Sequence, residues 1–155
     1  MTSRRDIIQM TPDEIDSYLQ GRHVLNIATI GPSGHPHLVA MWYAMIDGKP
    51  AFWTFGKAQK VMNIRRDPRI SALVETGEEY NELRGVEMVG TARLVEDIEG
   101  IVRIGATVAQ KYNGDVAVSE PGLEFIRGQA QKRIGVVIDV EKFVSWDHTK
   151  LGGTY

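Results

Sequence analysis

The chain has 155 residues, with 18 Lys and Arg against 20 Asp and Glu, a formal net charge of −2 and no cysteine. That length suits one domain able to bury about two-thirds of its unfolded surface without a staple. The missing cysteines exclude disulfides, thiolate zinc sites, iron–sulfur clusters and Cys nucleophiles together, and a pI near 6.1 argues against nucleic-acid binding by bulk charge.

Met1 to Met10 is polar and lacks the apolar run of a signal peptide. No stretch approaches the roughly 18–20 apolar residues of a membrane span. A cytoplasmic protein is therefore expected, with no membrane or nucleic-acid partner. Thr11-Pro-Asp-Glu14 is a capping box with proline at the first helical position, and Met10 and Ile15 occupy the staple positions. Ile15, Tyr18 and Leu19 form the stripe of a short amphipathic helix that Gly21 stops, suited to lidding a barrel.

A meander of strands follows. Val24 to Ile30 is β-rich, Gly31 to Gly34 is a turn, and His37 to Ile46 reads as one long second strand. Asp47-Gly48 is a hairpin signal leading into a third strand at Ala51 to Phe55. Gly56 to Asp67 is a helix with Val61 and Ile64 at helical spacing, ended by Pro68. Ile70 to Glu75 is a buried strand, Thr76 to Arg84 a polar loop, and Gly85 to Val95 a long alternating strand. Ile98 to Lys111 and Pro121 to Gln131 are helices separated by Asn113-Gly114. Ile134 to Trp146 is the last strand, and Asp147 to Tyr155 an extended tail. About six strands with tight early hairpins point to a small closed or split antiparallel barrel and away from a doubly wound parallel sheet.

The segment Ala51 to Asn63 carries the chemistry. A strand ends in Thr54 and Phe55, then Gly56 leads into a helix with Lys57 and Lys60 in its first turn. Such a helix start offers free N–H groups and a partial positive charge, and two lysines three apart can face one anion, which suits a phosphate. An ordinary solvated basic helix has the same composition, and these residues alone leave both readings open. Leu38 to Tyr43 is apolar on both faces. Its own helices, a flat ligand or a second subunit would each cover the outer one. Trp42, Trp53 and Trp146 stand on strands and suit ring stacking as well as core packing. The four histidines are scattered, His35 and His37 share a face only if both lie on the strand, and no metal is expected. No catalytic triad or carboxylate pair stands out, so an enzyme on this frame would rely on a cofactor.

These residues form a familiar set: Leu25 to Thr29, Gly34-His-Pro36, Met41-Trp42, Phe52 to Thr54, Lys60 to Asn63, Asp67-Pro-Arg69, Val74 to Gly77 with Tyr80, Leu83 to Gly85, and Trp146 to Tyr155. In order and over nearly the whole chain, the sequence resembles the pyridoxamine-phosphate-oxidase-like split-barrel superfamily. Within it, the sequence is most similar to the actinobacterial flavin/deazaflavin oxidoreductases that use coenzyme F-420. The resemblance implies an antiparallel FMN-binding split barrel of 1–155, working as a homodimer with the cofactor between subunits. It places Val39, Met41 and Trp42 along the ring and gives Thr54 and Lys60 to the phosphate. Phe55, Gly56, Lys57, Val61 and Asn63 would border that site, and Trp146 would arrive from the other subunit.

FMN-dependent relatives carry an arginine at the start of the ring-lining strand and an Arg–Lys pair at the phosphate, where this chain has Leu38 and Gln59-Lys60. The missing positive charge suits a phosphodiester, as in F-420, whose acidic tail would find Lys57, Arg65 and Arg66. The activity implied is hydride transfer between the reduced deazaflavin and an unsaturated small-molecule substrate, with no catalytic side chain singled out. The alternatives are an FMN-dependent oxidase or reductase and a non-catalytic F-420, flavin or tetrapyrrole binder.

Overall fold

A computed structural model describes residues 1–153. Helix α1 (Arg4–Ile8) and helix α2 (Pro12–Leu19) open the chain, each started by a capping box, Ser3 with Asp6 and Thr11 with Glu14. The first helix lies in the stretch read above only as polar. Seven strands follow: β1 (Leu25–Ile30), β2 (Pro36–Met41), β3 (Ala44–Ile46), β4 (Lys49–Phe55), β5 (Arg69–Thr76), β6 (Arg84–Val95) and β7 (Arg133–Asp147). Helix α3 (Gln59–Arg66) joins β4 to β5, while α4 (Ile98–Asn113) and α5 (Glu120–Ala130) lie between β6 and β7.

The strands form one antiparallel sheet in the order β2-β1-β5-β6-β7-β4-β3. The first and last strands of that order are consecutive in the chain, with only Trp42 and Tyr43 between them. Two linking residues reach no more than about 10 Å, so the sheet must curl until its edges meet, and the result is a split barrel.

Two expectations need correction. His37 to Ile46 is not one strand: it breaks at Trp42-Tyr43, because β2 pairs with β1 and β3 pairs with β4. The tail is not extended. Residues His148–Leu151 form a 3-10 turn capped by Asp147, whose carboxylate accepts from the Thr149 amide at 3.1 Å and its hydroxyl at 2.6 Å. Thr154 and Tyr155 lie outside the described residues. The Asp47-Gly48 hairpin is as expected, with both residues at positive φ (52° and 76°).

Inward side chains of the barrel, including Leu25, Ile27, Phe52, Val74, Val86, Met88, Val136 and Ile138, make the main core. Helix α2 closes one end. Ile15 and Leu19 are buried there, and the Tyr43 hydroxyl donates to the Leu19 carbonyl at 2.6 Å. Helix α3 closes the other end, with Val61 and Ile64 turned inward. Helix α4 packs outside β3, β4 and β7 through Ile104 and Val108, and α5 packs on α4 through Ile126 and Ala130.

Candidate functional site

Alternation places Thr54 beside Phe52 on the inward face of β4 and Trp53 and Phe55 on the opposite face. Thr54 is buried, and Lys60, in the first turn of α3, donates from Nζ to Thr54 Oγ1 at 3.1 Å. Burial pushes the Lys60 amine below its ordinary value, and no carboxylate pairs with it among the described residues. The cap residue Ala58 supplies no side-chain hydrogen bond to the start of α3. A half-buried ammonium, a buried hydroxyl and an uncapped helix start therefore converge at one end of the barrel, and all three favour an anion.

Helix α3 is held in place from inside. Asn63, fully buried, donates from Nδ2 to Thr29 Oγ1 at 3.0 Å and accepts from Gln59 Nε2 at 2.8 Å. Val61 is equally enclosed. Neither presents surface to a ligand in the protomer, so their part is to seat the helix that carries Lys60. Gln59 is turned toward Asn63, so no second cation joins Lys60 at Thr54. Arg66 donates to the Ile30 carbonyl and to Asn63 Oδ1 at 3.4 Å, and it does not line the cleft that holds Lys57 and Arg65.

Phe55, Gly56 and Lys57 line a cleft of about 710 Å³ together with Arg65, Glu96, Gln131, Lys132, Arg133 and Ile134. Arg133 pairs with Phe55 across β4–β7, and its guanidinium carbon lies 4.5 Å from the ring centres of both Trp53 and Phe55. Sequence reading missed Lys132 and Arg133. Their only signal is strand register, which brings Arg133 opposite Phe55.

The proposed ring-lining strand is an edge of the sheet. Val39 and Met41 are partly buried against the core, while Leu38 is 69 % and Trp42 50 % exposed. Trp42 stacks on Tyr112 with centres 4.5 Å apart and planes within 1°. It also lines an apolar groove of about 290 Å³ with Trp53 and Phe125. Trp146 stands opposite Gly85 at the α2 end of the barrel, whereas Thr54 stands opposite Ile134 at the α3 end. One protomer therefore does not bring Trp146 to Lys60.

The family model for pyridoxamine 5'-phosphate oxidase matches residues 11–147. The chain belongs to this family. The split barrel built above is the family's fold, and the family binds flavins. Among solved structures, the conserved hypothetical protein Rv2991 from Mycobacterium tuberculosis is 42% identical, with a TM-score of 0.91 over 99% of this chain and 95% of that one. An F-420 reductase is 25% identical, with a TM-score of 0.65 over 83% of this chain and 94% of that one. HutZ, a haem storage protein from Vibrio cholerae, shares the fold at 18% identity, with a TM-score of 0.66 over 86% of this chain and 94% of its own. No curated protein matches the chain. Family members thus include an oxidoreductase, and the fold also serves haem proteins. No helix among the described residues is long and apolar enough to cross a membrane.

Proposed function

We propose that the protein is a coenzyme F-420-dependent oxidoreductase acting as a homodimer on an unsaturated organic substrate. The observation that carries this reading is the Lys60–Thr54 pair: one half-buried ammonium on one buried hydroxyl, with Gln59 where a second cation would otherwise stand. One positive charge balances the single negative charge of a phosphodiester. A terminal phosphate, close to a dianion at neutral pH, would ask for two. The similarity to an F-420 reductase supports the same choice.

When bound, the reduced deazaflavin supplies the hydride. Lys60 and Thr54 hold the phosphodiester, and Asn63 and Thr29 keep α3 at the height this requires. The exposed Leu38 and Trp42 edge of β2 is covered by the second subunit, which also brings its own copy of Trp146 near the α3 end. Orientation and exclusion of water are the protein's contribution.

Fluorescence titration of the purified protein with F-420 and, in parallel, FMN tests the reading. Preferential F-420 binding, weakened roughly tenfold or more in Lys60→Ala by loss of one charge-assisted hydrogen bond, is the expected result. Preference for FMN, or no affinity for F-420, overturns it. Bound F-420 without turnover across enones and quinones would make the protein a carrier.

A further inference from the structure

Lys111, in the last turn of α4, sits in an aromatic corner at the α2 end of the barrel. Its Nζ lies 3.7 Å from the centre of the Tyr43 ring and 5.5 Å from that of Tyr112. It donates to the Leu19 carbonyl at 3.4 Å, an acceptor that already takes the Tyr43 hydroxyl at 2.6 Å. No carboxylate pairs with it among the described residues. The phenols of Tyr43 and Tyr112 and the His23 imidazole share the corner, and Arg22 donates to the Tyr112 carbonyl. His23 stacks on Tyr18, which carries Arg84 over its ring. None of these groups offers Lys111 a negative charge at neutral pH.

An ammonium has three donors and a full charge, and this corner meets them with one long hydrogen bond and two ring faces. Burial accordingly lowers the Lys111 amine to about 8. An N-acylated lysine has one N–H and no charge, so the Leu19 carbonyl satisfies it and the cost of burying a charge is gone. The other lysines are placed differently. Lys49 and Lys150 pair with Asp139 and Glu14, Lys60 donates to Thr54, and Lys57, Lys132 and Lys142 are exposed. Lys111 keeps partial exposure, so a small reagent reaches it.

We propose that Lys111 is an acylation site that takes its acyl group from an acyl phosphate. The neutral amine attacks the acyl carbonyl carbon, and the carbon–oxygen bond to phosphate breaks. Inorganic phosphate leaves with the electron pair, and the proton shed by the nitrogen passes to water. Arg22 beside the corner favours an anionic donor. No residue used here belongs to the cofactor site proposed above, so the two readings fail separately. At about pH 7.5, roughly a quarter of the Lys111 amine is neutral, against about 0.1 % of an ordinary lysine. Nucleophilicity falls with basicity, as it does for thiols, which leaves an advantage of about tenfold.

The test is incubation of the whole purified protein with acetyl phosphate, with the rate of acetylation at each lysine followed by peptide mass mapping. Lys111 should be acetylated about tenfold faster than the exposed Lys57, Lys132 and Lys142 at about pH 7.5. Its rate should level off above about pH 8, while theirs keep rising to about pH 10. The preference should vanish in guanidinium chloride, where the corner no longer exists. Lys111→Gln, which carries a neutral amide, should melt higher than the parent, and Lys111→Arg, which keeps the charge, should not. Equal rates at Lys111 and the exposed lysines of the folded protein, a preference that survives unfolding, or a lower melting temperature in Lys111→Gln than in Lys111→Arg overturns the proposal.

Discussion

Asn63 is the polar pin between α3 and the barrel, and its removal has a magnitude that can be worked out. Asn63→Ala deletes the hydrogen bond to Thr29 and strands that hydroxyl at 1 % exposure. A buried unsatisfied polar group costs about 1–3 kcal/mol, and the small cavity left by the amide adds to it. The expected loss is about 2–3 kcal/mol. Thr29→Val keeps the volume but leaves Asn63 Nδ2 without its acceptor, for about 1–2 kcal/mol. In the double variant both partners are gone, so neither is stranded. The two losses should then fall short of additivity by about 1 kcal/mol. Urea unfolding of the four proteins, with m-values compared, gives the cycle. Additive losses, or a loss under about 0.5 kcal/mol for Asn63→Ala, would refute the role given to this hydrogen bond. Asn63→Ala should also weaken F-420 binding although residue 63 touches no ligand, because Lys60 rides on the same helix.

Gly90 sits at the register shift between β6 and β7, where a Cβ would meet the Asp139 carbonyl oxygen at 2.1 Å. Gly90→Ala should destabilise by about 2–4 kcal/mol, and a melting temperature within about 2 °C of the parent would contradict that. Burial lowers Lys111 to about 8, so between pH 8 and roughly 10.4 the unfolded chain holds a proton that the folded chain has lost. Stability therefore rises with pH across that window, and the full cost of burial is present below it. Lys111→Met should gain about 1 kcal/mol at pH 7, a figure discounted for partial exposure and for the Tyr43 ring 3.7 Å from Nζ. The gain should shrink to nothing by about pH 10.5; an equal gain at pH 7 and pH 10 would rule the burial argument out.

Local physics was legible in the residues. The Thr11 capping box, the Asp47-Gly48 turn and the alternation in Val86 to Ala92 act over a few positions, and each element formed where its own residues direct. The meeting of Lys60 with Thr54 was legible for the same reason, since a strand end and the next helix start are neighbours in the chain. Three features needed the tertiary structure. Leu38 to Ile46 is an unbroken apolar run with no turn residue, so the break at Trp42-Tyr43 is imposed by two different pairing partners. The burial of Asn63 depends on Thr29, 34 residues away. Arg133 reaches Phe55 only through the β4–β7 register. Periodicity and capping determine which segments are strands and helices, because those energies are local. Which charged and polar side chains meet, and so where an anion can bind, is decided only when the sheet closes, because closure brings together residues whose chain separation carries no local signal.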